Sequence, residues 1–208
     1  METFREKPVY DAIKRLFDIL LSAIAIVVLS PFMLAIALAV RSDGGPALYS
    51  QVRVGKNGRL FRIYKFRSMC LNADDPKLLK KLRSKNEMDG PVFKMKEDPR
   101  VTKVGKFIRR TSMDELPQLF NIFMGDMTIV GPRPPLESEV AQYTPKQRQR
   151  LLVKQGLTCY WQCSGRNNVS FEEWMELDLK YIRERSLLTD LKIILKTVPA
   201  VLSGDGAQ

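Results

Sequence analysis

Two adjacent carboxylates, Asp114 and Glu115, lie between Arg109-Arg110 and the arginine of "GPRPP", Gly131 to Pro135. The chain of 208 residues carries 34 Lys plus Arg against 23 Asp plus Glu, a net charge of +11. Two readings of the acidic pair are open. Ser112-Met-Asp-Glu115 has the S-x-x-E form of a capping box, and acidic residues and Pro117 both suit a first helical turn. A carboxylate at a helix N-terminus, kept ionised by the dipole and by Arg109 and Arg110, is also a candidate nucleophile or magnesium ligand. The free N–H groups of such a terminus receive phosphate oxygens. Capping and phosphoryl chemistry are compatible.

Pro132 and Pro134 restrict the backbone on both sides of Arg133, whose planar donor fork matches a phosphate or a nucleobase edge. A rigid turn with a solvated arginine fits the same residues. Lys65 and Arg67 of "YKFRSM" and Arg166 of "SGRNN" add cations. The absence of histidine removes the commonest general base and zinc ligand. The cysteines, Cys70, Cys159 and Cys163, are odd in number, which fits a reduced, cytosol-facing domain with Cys159 and Cys163 as buried thiols. So basic a surface suits anions, whether nucleic acid, acidic headgroups or phosphorylated substrates.

The elements that must position these residues begin with a membrane segment. Ile19 to Val40 is 22 residues without a charge, about 33 Å as a straight helix. Pro31 falls near its middle, where it deletes a backbone hydrogen bond, and Ser30 is placed to satisfy the freed carbonyl. Basic residues flank both ends: Arg5, Lys7, Lys14 and Arg15 before it, Arg41, Arg53, Lys56 and Arg59 after it. A kinked spanning helix and a helix that enters and leaves on one face both fit, and the second satisfies the positive-inside rule at both flanks. Beyond Arg41 the composition turns polar. This predicts an anchoring segment over residues 1–41 and a catalytic domain over 42–208.

"ALYSQVRVGKNGRLFRIYKF" reads as a hairpin turning at Asn57-Gly58. Asp75 to Pro91 reads as a short amphipathic helix with Leu78, Leu79 and Leu82 on one side, either on the core or lying on anionic lipid. "VTKVGKFIRRTSMDELPQLFNIFMG" reads as a basic helix, a break, and a second helix ending at Gly125. Ser170 and Glu173 form a capping-box pattern opening a helix whose Phe171, Trp174, Met175, Asp178 and Tyr181 share a face; Trp174 and Tyr181 are expected in the core. Ser186 to Leu202 predicts a last amphipathic helix bent near Pro199. The fold class is α+β, mostly helical, with a small antiparallel element.

Taken together, "KRLFDILLSAIAIVVLSPFM", "YKFRSM", "RRTSMDELPQLFNIFMGDMTIVGPRPP", "GLTCYWQCSGRNN" and "DLKIILKT", in this order, resemble the bacterial sugar transferases. These are monotopic polyprenol-phosphate phosphoglycosyl transferases, and the likeness, to their minimal catalytic form, runs from about Lys14 to Leu202. The resemblance implies a re-entrant helix broken at Ser30-Pro31 and interfacial amphipathic helices. It places the protein on the cytoplasmic face of the bacterial inner membrane. It implies transfer of a sugar-1-phosphate from a UDP-sugar to undecaprenyl phosphate with release of UMP, in capsule, exopolysaccharide, O-antigen or glycoconjugate synthesis. Asp114 then matches the nucleophile, which forms an aspartyl-phosphosugar intermediate. Glu115 matches its acidic partner, and Mg2+ is expected at the pair. Lys65, Arg67, Arg109, Pro132, Arg133, Pro134 and Arg166 match the phosphate and nucleotide site. Asp126 of "GDM" matches a motif residue without an assigned role. Cys159 stands where the family usually has glycine. The expected partners are the UDP-sugar, undecaprenyl phosphate and membrane lipid, with no nucleic acid; a homo-oligomer is compatible. Two rivals remain at this stage. One is a membrane-anchored protein binding nucleic acid or acidic lipid, suggested by charge alone. The other is a metal-dependent glycosyltransferase releasing UDP, against which stands the lack of a D-x-D sequence.

Overall fold

The computed structural model describes residues 4–83, 86–87, 90–92, 95, 97–163 and 169–203. Helix α1 runs from Pro8 to Arg41, opened by a proline at its first position, where a missing N–H is harmless. Its 34 residues make it about 51 Å long at 1.5 Å per residue, longer than a hydrocarbon core. The break expected at Ser30-Pro31 does not interrupt it: the helix carries Pro31 inside. The physical reason is local. Pro31 has no N–H for the carbonyl of Val27, and Ser30 Oγ donates to that same carbonyl at 2.8 Å.

One stripe of α1 faces the body. Asp18, Ser22, Met33, Ile36 and Val40 are buried, and Ala25, Ile26 and Leu29 pack between them at spacings of three and four. The other side exposes Leu16, Leu20, Leu21, Ile24, Val27, Val28, Leu34 and Leu38. Among the described residues α1 is the one helix long and apolar enough to cross a membrane.

The predicted hairpin is present. Strands β1 (Leu48–Val54) and β2 (Leu60–Phe66) pair antiparallel, with Val54 opposite Leu60 and Tyr49 opposite Lys65. Asn57 takes the left-handed conformation in the turn (φ 56°). Helix α2 covers Pro76–Arg83, shorter than the Asp75 to Pro91 stretch proposed for it, and buries Leu82. Next come α3 (Lys103–Arg110), a single 3-10 turn at Met113–Glu115, and α4 (Gln118–Met124), which Gly125 ends at φ 96°. Strand β3 (Thr128–Val130) follows, then short helices α5 (Glu137–Val140) and α6 (Pro145–Arg148) and strand β4 (Gly156–Thr158). β3 and β4 pair in parallel, a pairing that three-residue strands do not announce in sequence. Helices α7 (Tyr160–Cys163), α8 (Phe171–Glu184) and α9 (Leu187–Ser203) close the chain. The capping box opening α8 is formed: Ser170 Oγ accepts from Glu173 N, and Ser170 N donates to Glu173 Oε2 at 2.9 Å. Trp174 and Tyr181 are buried, as expected.

The core is four apolar clusters strung between α1, the hairpin, α4 and α8–α9. Asn121, fully buried on α4, joins two of these layers. Its Oδ1 accepts from Tyr64 N and its Nδ2 donates to Arg62 O, which fixes the outer edge of β2 against α4.

Candidate active site

The hairpin and the α3–α4 break meet at the acidic pair. β2 presents Lys65, whose Nζ donates to Glu115 Oε1 at 2.6 Å. Asp114 beside it is buried. Burial pushes its carboxyl up to about 6, against the pull of Lys65, with the negative charge of Glu115 adding to the rise and Arg109 opposing it. This corrects one expectation: desolvation, not the arginines, dominates at Asp114. The capping reading is corrected too. Ser112 adopts the left-handed conformation (φ 54°), makes no side-chain cap, and the next helix begins only after Pro117. A non-glycine residue at positive φ is strained, and here it turns the chain so that Asp114 points inward from a 3-10 turn. Lys65, Arg109, Asp114 and Glu115 therefore form one group.

Arg133 belongs to a second group, built by backbone hydrogen bonds. Each carbonyl from Pro132 to Pro135 is held: by Gly156 N, by Arg150 Nη2, by Arg53 Nη1 and by Val54 N in turn. Gly156 is required for this approach, since a Cβ there would lie 2.1 Å from Gly131 N. The Arg133 side chain is half-buried, 5.6 Å from the Trp174 ring, and its Nη1 has no hydrogen-bond partner; Glu139 is 3.8 Å away. An arginine fixed by its backbone and still partly exposed has guanidinium donors beyond the buried Nη1 with which to receive an anion or a base edge.

Three residues of this frame were not assigned to the site from the sequence. Arg150 is fully buried, donates to Asp178 Oδ2 at 2.6 Å and to Tyr143 Oη at 2.7 Å, and supports Arg133 O. Asp178 reads as an interruption of the apolar face of α8 until its partner is seen. Arg53 is buried between the two groups and feels both Glu115 and Arg133; desolvation and the Arg133 charge lower it to about 10. The signal for Arg53 was available. Strand alternation and the Asn57-Gly58 register place it on the same hairpin face as Lys65.

Arg67 is not brought to the site. All five of its N–H groups are engaged by Asp43, Pro46 O, Met69 O and Val40 O, tying β2 to the end of α1. Asp126 follows the Gly125 cap, and its charge acts on Lys154. Arg166 lies outside the described residues. Cys159 is fully buried and its thiol is pushed up to about 12, so it is inert.

Magnesium binds through one or two carboxylates plus water and substrate phosphates. The Asp114–Glu115 pair fits that pattern, and the raised carboxyl of Asp114 shows a buried charge that the protein alone does not balance. Among the described residues no cluster of three or more His, Cys, Asp or Glu side chains gathers, so a metal here would complete its shell with the substrate.

Over residues 9–204 the chain matches the family described as bacterial sugar transferase. It is 49% identical over 94% of its length to a galactosyl transferase, CpsE, of Streptococcus agalactiae, covering 43% of that protein. It is 45% identical over 94% of its length to an undecaprenyl-phosphate galactose phosphotransferase of Salmonella typhimurium, covering 41% of it. The chain thus spans about two-fifths of the length of these relatives. It matches nearly the whole of another, the exopolysaccharide production protein ExoY of Sinorhizobium fredii, at 42% identity over 99% of this chain and 92% of that one.

Proposed function

The chain belongs to the bacterial sugar transferase family, and from that premise we propose that it moves a sugar-1-phosphate from a UDP-sugar to undecaprenyl phosphate and releases UMP. The observation that carries the reading is Asp114: a buried carboxylate on a strained turn, beside Glu115 and among Lys65 and Arg109.

An Oδ of Asp114 attacks the phosphorus that bears the sugar. The bond from that phosphorus to the bridging oxygen breaks, and UMP leaves with the electron pair. A phosphosugar remains on Asp114. An oxygen of the polyprenol phosphate then attacks the same phosphorus, and the carboxylate is regenerated. The acceptor phosphate is largely anionic near neutrality, its second pKa being about 6, so no strong base is needed. This suits a chain without histidine. Lys65 and Arg109 orient the phosphates, and Arg133 holds the nucleotide end. Asp114 and Glu115 would hold magnesium, which supplies charge neutralisation at the diphosphate.

The second substrate is a lipid, and α1 suggests how the site meets it. Both ends of α1 are tied to one body: Lys7 donates to Arg185 O and Arg15 to Ile122 O, while Arg67 holds Val40 O. A helix clasped at both ends with one apolar side bare favours embedding from one face, with a bend at Pro31 bringing both flanks to the cytoplasmic side. This is the re-entrant, monotopic arrangement.

The test uses purified protein, magnesium and a panel of UDP-sugars with no lipid. A stoichiometric burst of UMP and a sugar-phosphate adduct on Asp114 are expected. Release of UDP, or turnover with lipid but never an adduct, would sink the two-step account.

A further inference from the structure

A cavity of about 160 Å³ opens at the N-terminal end of α1, between that helix, the hairpin tip, β3 and the segment before β4. Its walls bring together Lys14, Arg15, Lys56, Lys154 and Arg185 against two carboxylates, Asp11 and Asp18. Three of the cations are committed. Lys14 pairs with Asp190 at 2.5 Å; Arg15 caps α4 through Ile122 O and Phe123 O; Arg185 holds Ile182 O and Arg5 O. Asp18 is committed as well, its Oδ1 accepting from Ile129 N at 2.9 Å.

What remains is chiefly donors, with Asp11, among the described residues, the one wall carboxylate that holds no such bond. Lys154 makes no hydrogen bond with its ammonium, and burial together with the charges of Arg15 and Lys56 depresses it, opposed by Asp18 and Asp126. Lys56 is exposed at the mouth. The Arg185 Nε and the Thr128 Oγ1 are both buried with no partner, and Thr128 is only 1% exposed. Buried polar groups are nearly always satisfied, and these two, closed off from solvent, reach a ligand only if the wall shifts; the cations open to the cavity are Lys154 and Lys56, which give it its anion-attracting field. The adjoining groove extends the field with Arg5, Lys7 and Arg183, while its Lys146 is paired with Glu176.

We propose that this cavity is a second anion site, separate from the Asp114 centre, that receives a single phosphate group. Size limits the ligand. At about 30 Å³ for each water, the cavity itself holds about five waters' worth of volume, below the roughly 300 Å³ at which pockets for drug-sized ligands start, and it adjoins a wider groove of about 810 Å³. Position separates it from the chemistry. The five-residue rise along β2 from Leu60 to Lys65 is about 17 Å, and the cavity lies at the turn end. Its wall is the opening of α1, where the apolar stripe begins, so a lipid headgroup phosphate and a free phosphate share the chemistry it would recognise.

The test uses the full-length protein in detergent and reads inorganic phosphate binding by 31P line broadening. Two classes of site are expected in the wild type. Lys65→Gln should remove one. Lys56→Gln with Lys154→Gln should weaken the other by about tenfold or more, the effect of losing charge-assisted contacts, and leave the UMP burst unchanged. Lys154→Arg should retain binding, which separates lost charge from lost fold. Flotation with phosphatidylglycerol or phosphatidylcholine vesicles distinguishes the sources. A headgroup ligand predicts that the double variant loses its preference for phosphatidylglycerol; a free phosphate predicts that only the 31P titration changes. If both measurements are unaltered, or if Lys77→Gln with Lys80→Gln on α2 does as much, the site is overturned. None of these outcomes depends on whether Asp114 carries a phosphosugar.

Discussion

A buried carboxylate held near pH 6 is a cost to the fold as well as an asset to chemistry. The folded state holds the proton of Asp114 more tightly than the unfolded state, whose value is 3.8. Its stabilising effect is therefore full below about pH 4 and is lost as pH rises through about 6. In chelator-containing buffer, Asp114→Asn should raise stability at pH 7.5 by on the order of 2–3 kcal/mol and not at all below pH 4, while abolishing turnover. Equal thermal midpoints for the two proteins at pH 7.5 would mean that Asp114 is solvated. The ionised form is the nucleophile, and magnesium at the pair favours that form, so the UMP burst at limiting donor should fall with acid only below the metal-free value of about 6. Ser112 is the companion test. A β-branched residue at its positive φ is strained further, so Ser112→Val should lose on the order of 1–2 kcal/mol and slow the burst, whereas Ser112→Gly should keep the fold. Loss of the fold in Ser112→Gly would show that the serine hydroxyl, not the backbone, matters.

At the scale of elements, the turn carrying Arg133 hangs from other chains of contact. Arg150 and Asp178 are both fully buried and paired, so removing one leaves an unbalanced charge. Asp178→Leu should cost about 3–5 kcal/mol, whereas replacing both partners with Arg150→Met and Asp178→Leu should recover most of that. Recovered stability without recovered nucleotide binding is expected, because Arg133 O has then lost its donor. Helix α1 makes the second element-scale case. On the proposed re-entrant path, Pro31→Ala, which restores the N–H for Val27 O, should favour a straight, spanning helix. An N-terminal cysteine label should then move away from cytoplasmic exposure. A label that stays cytoplasmic in that variant counts against a proline-dependent re-entrant path.

For the whole molecule, the stripe of α1 that meets no protein is the surface left to lipid. Spin labels at Val27 and Val28 should be relaxed by acyl-chain probes, while labels at Phe4 and Ser42 should both be reached by a soluble reagent added from one side. Protection of either end from that reagent would show that the helix crosses. The exposed Leu188, Leu191, Leu195 and Val198 of α9 form another bare apolar stripe, of the kind expected for an interfacial helix.

Local chemistry was legible in the sequence wherever it acts over a few residues. The Asn57-Gly58 turn, the Ser170–Glu173 box, the glycine that ends α4 and the 22-residue apolar run each follow from propensity or period, and family motifs marked Asp114 and Arg133. Capping at Ser112 failed because S-x-x-E is a local pattern that the strained turn overrides. The break at Ser30-Pro31 that the resemblance implies does not interrupt α1, and Ser30, readable in the sequence as a partner for the freed carbonyl, is that partner. Tertiary structure alone decided which cations meet the carboxylates. Lys65 on β2 and Arg67 just past its end are two residues apart, yet one pairs with Glu115 and the other is consumed by Asp43 and the end of α1. The same holds for burial: the sequence places Asp114 among arginines, but only packing removes it from water, and in that competition desolvation wins.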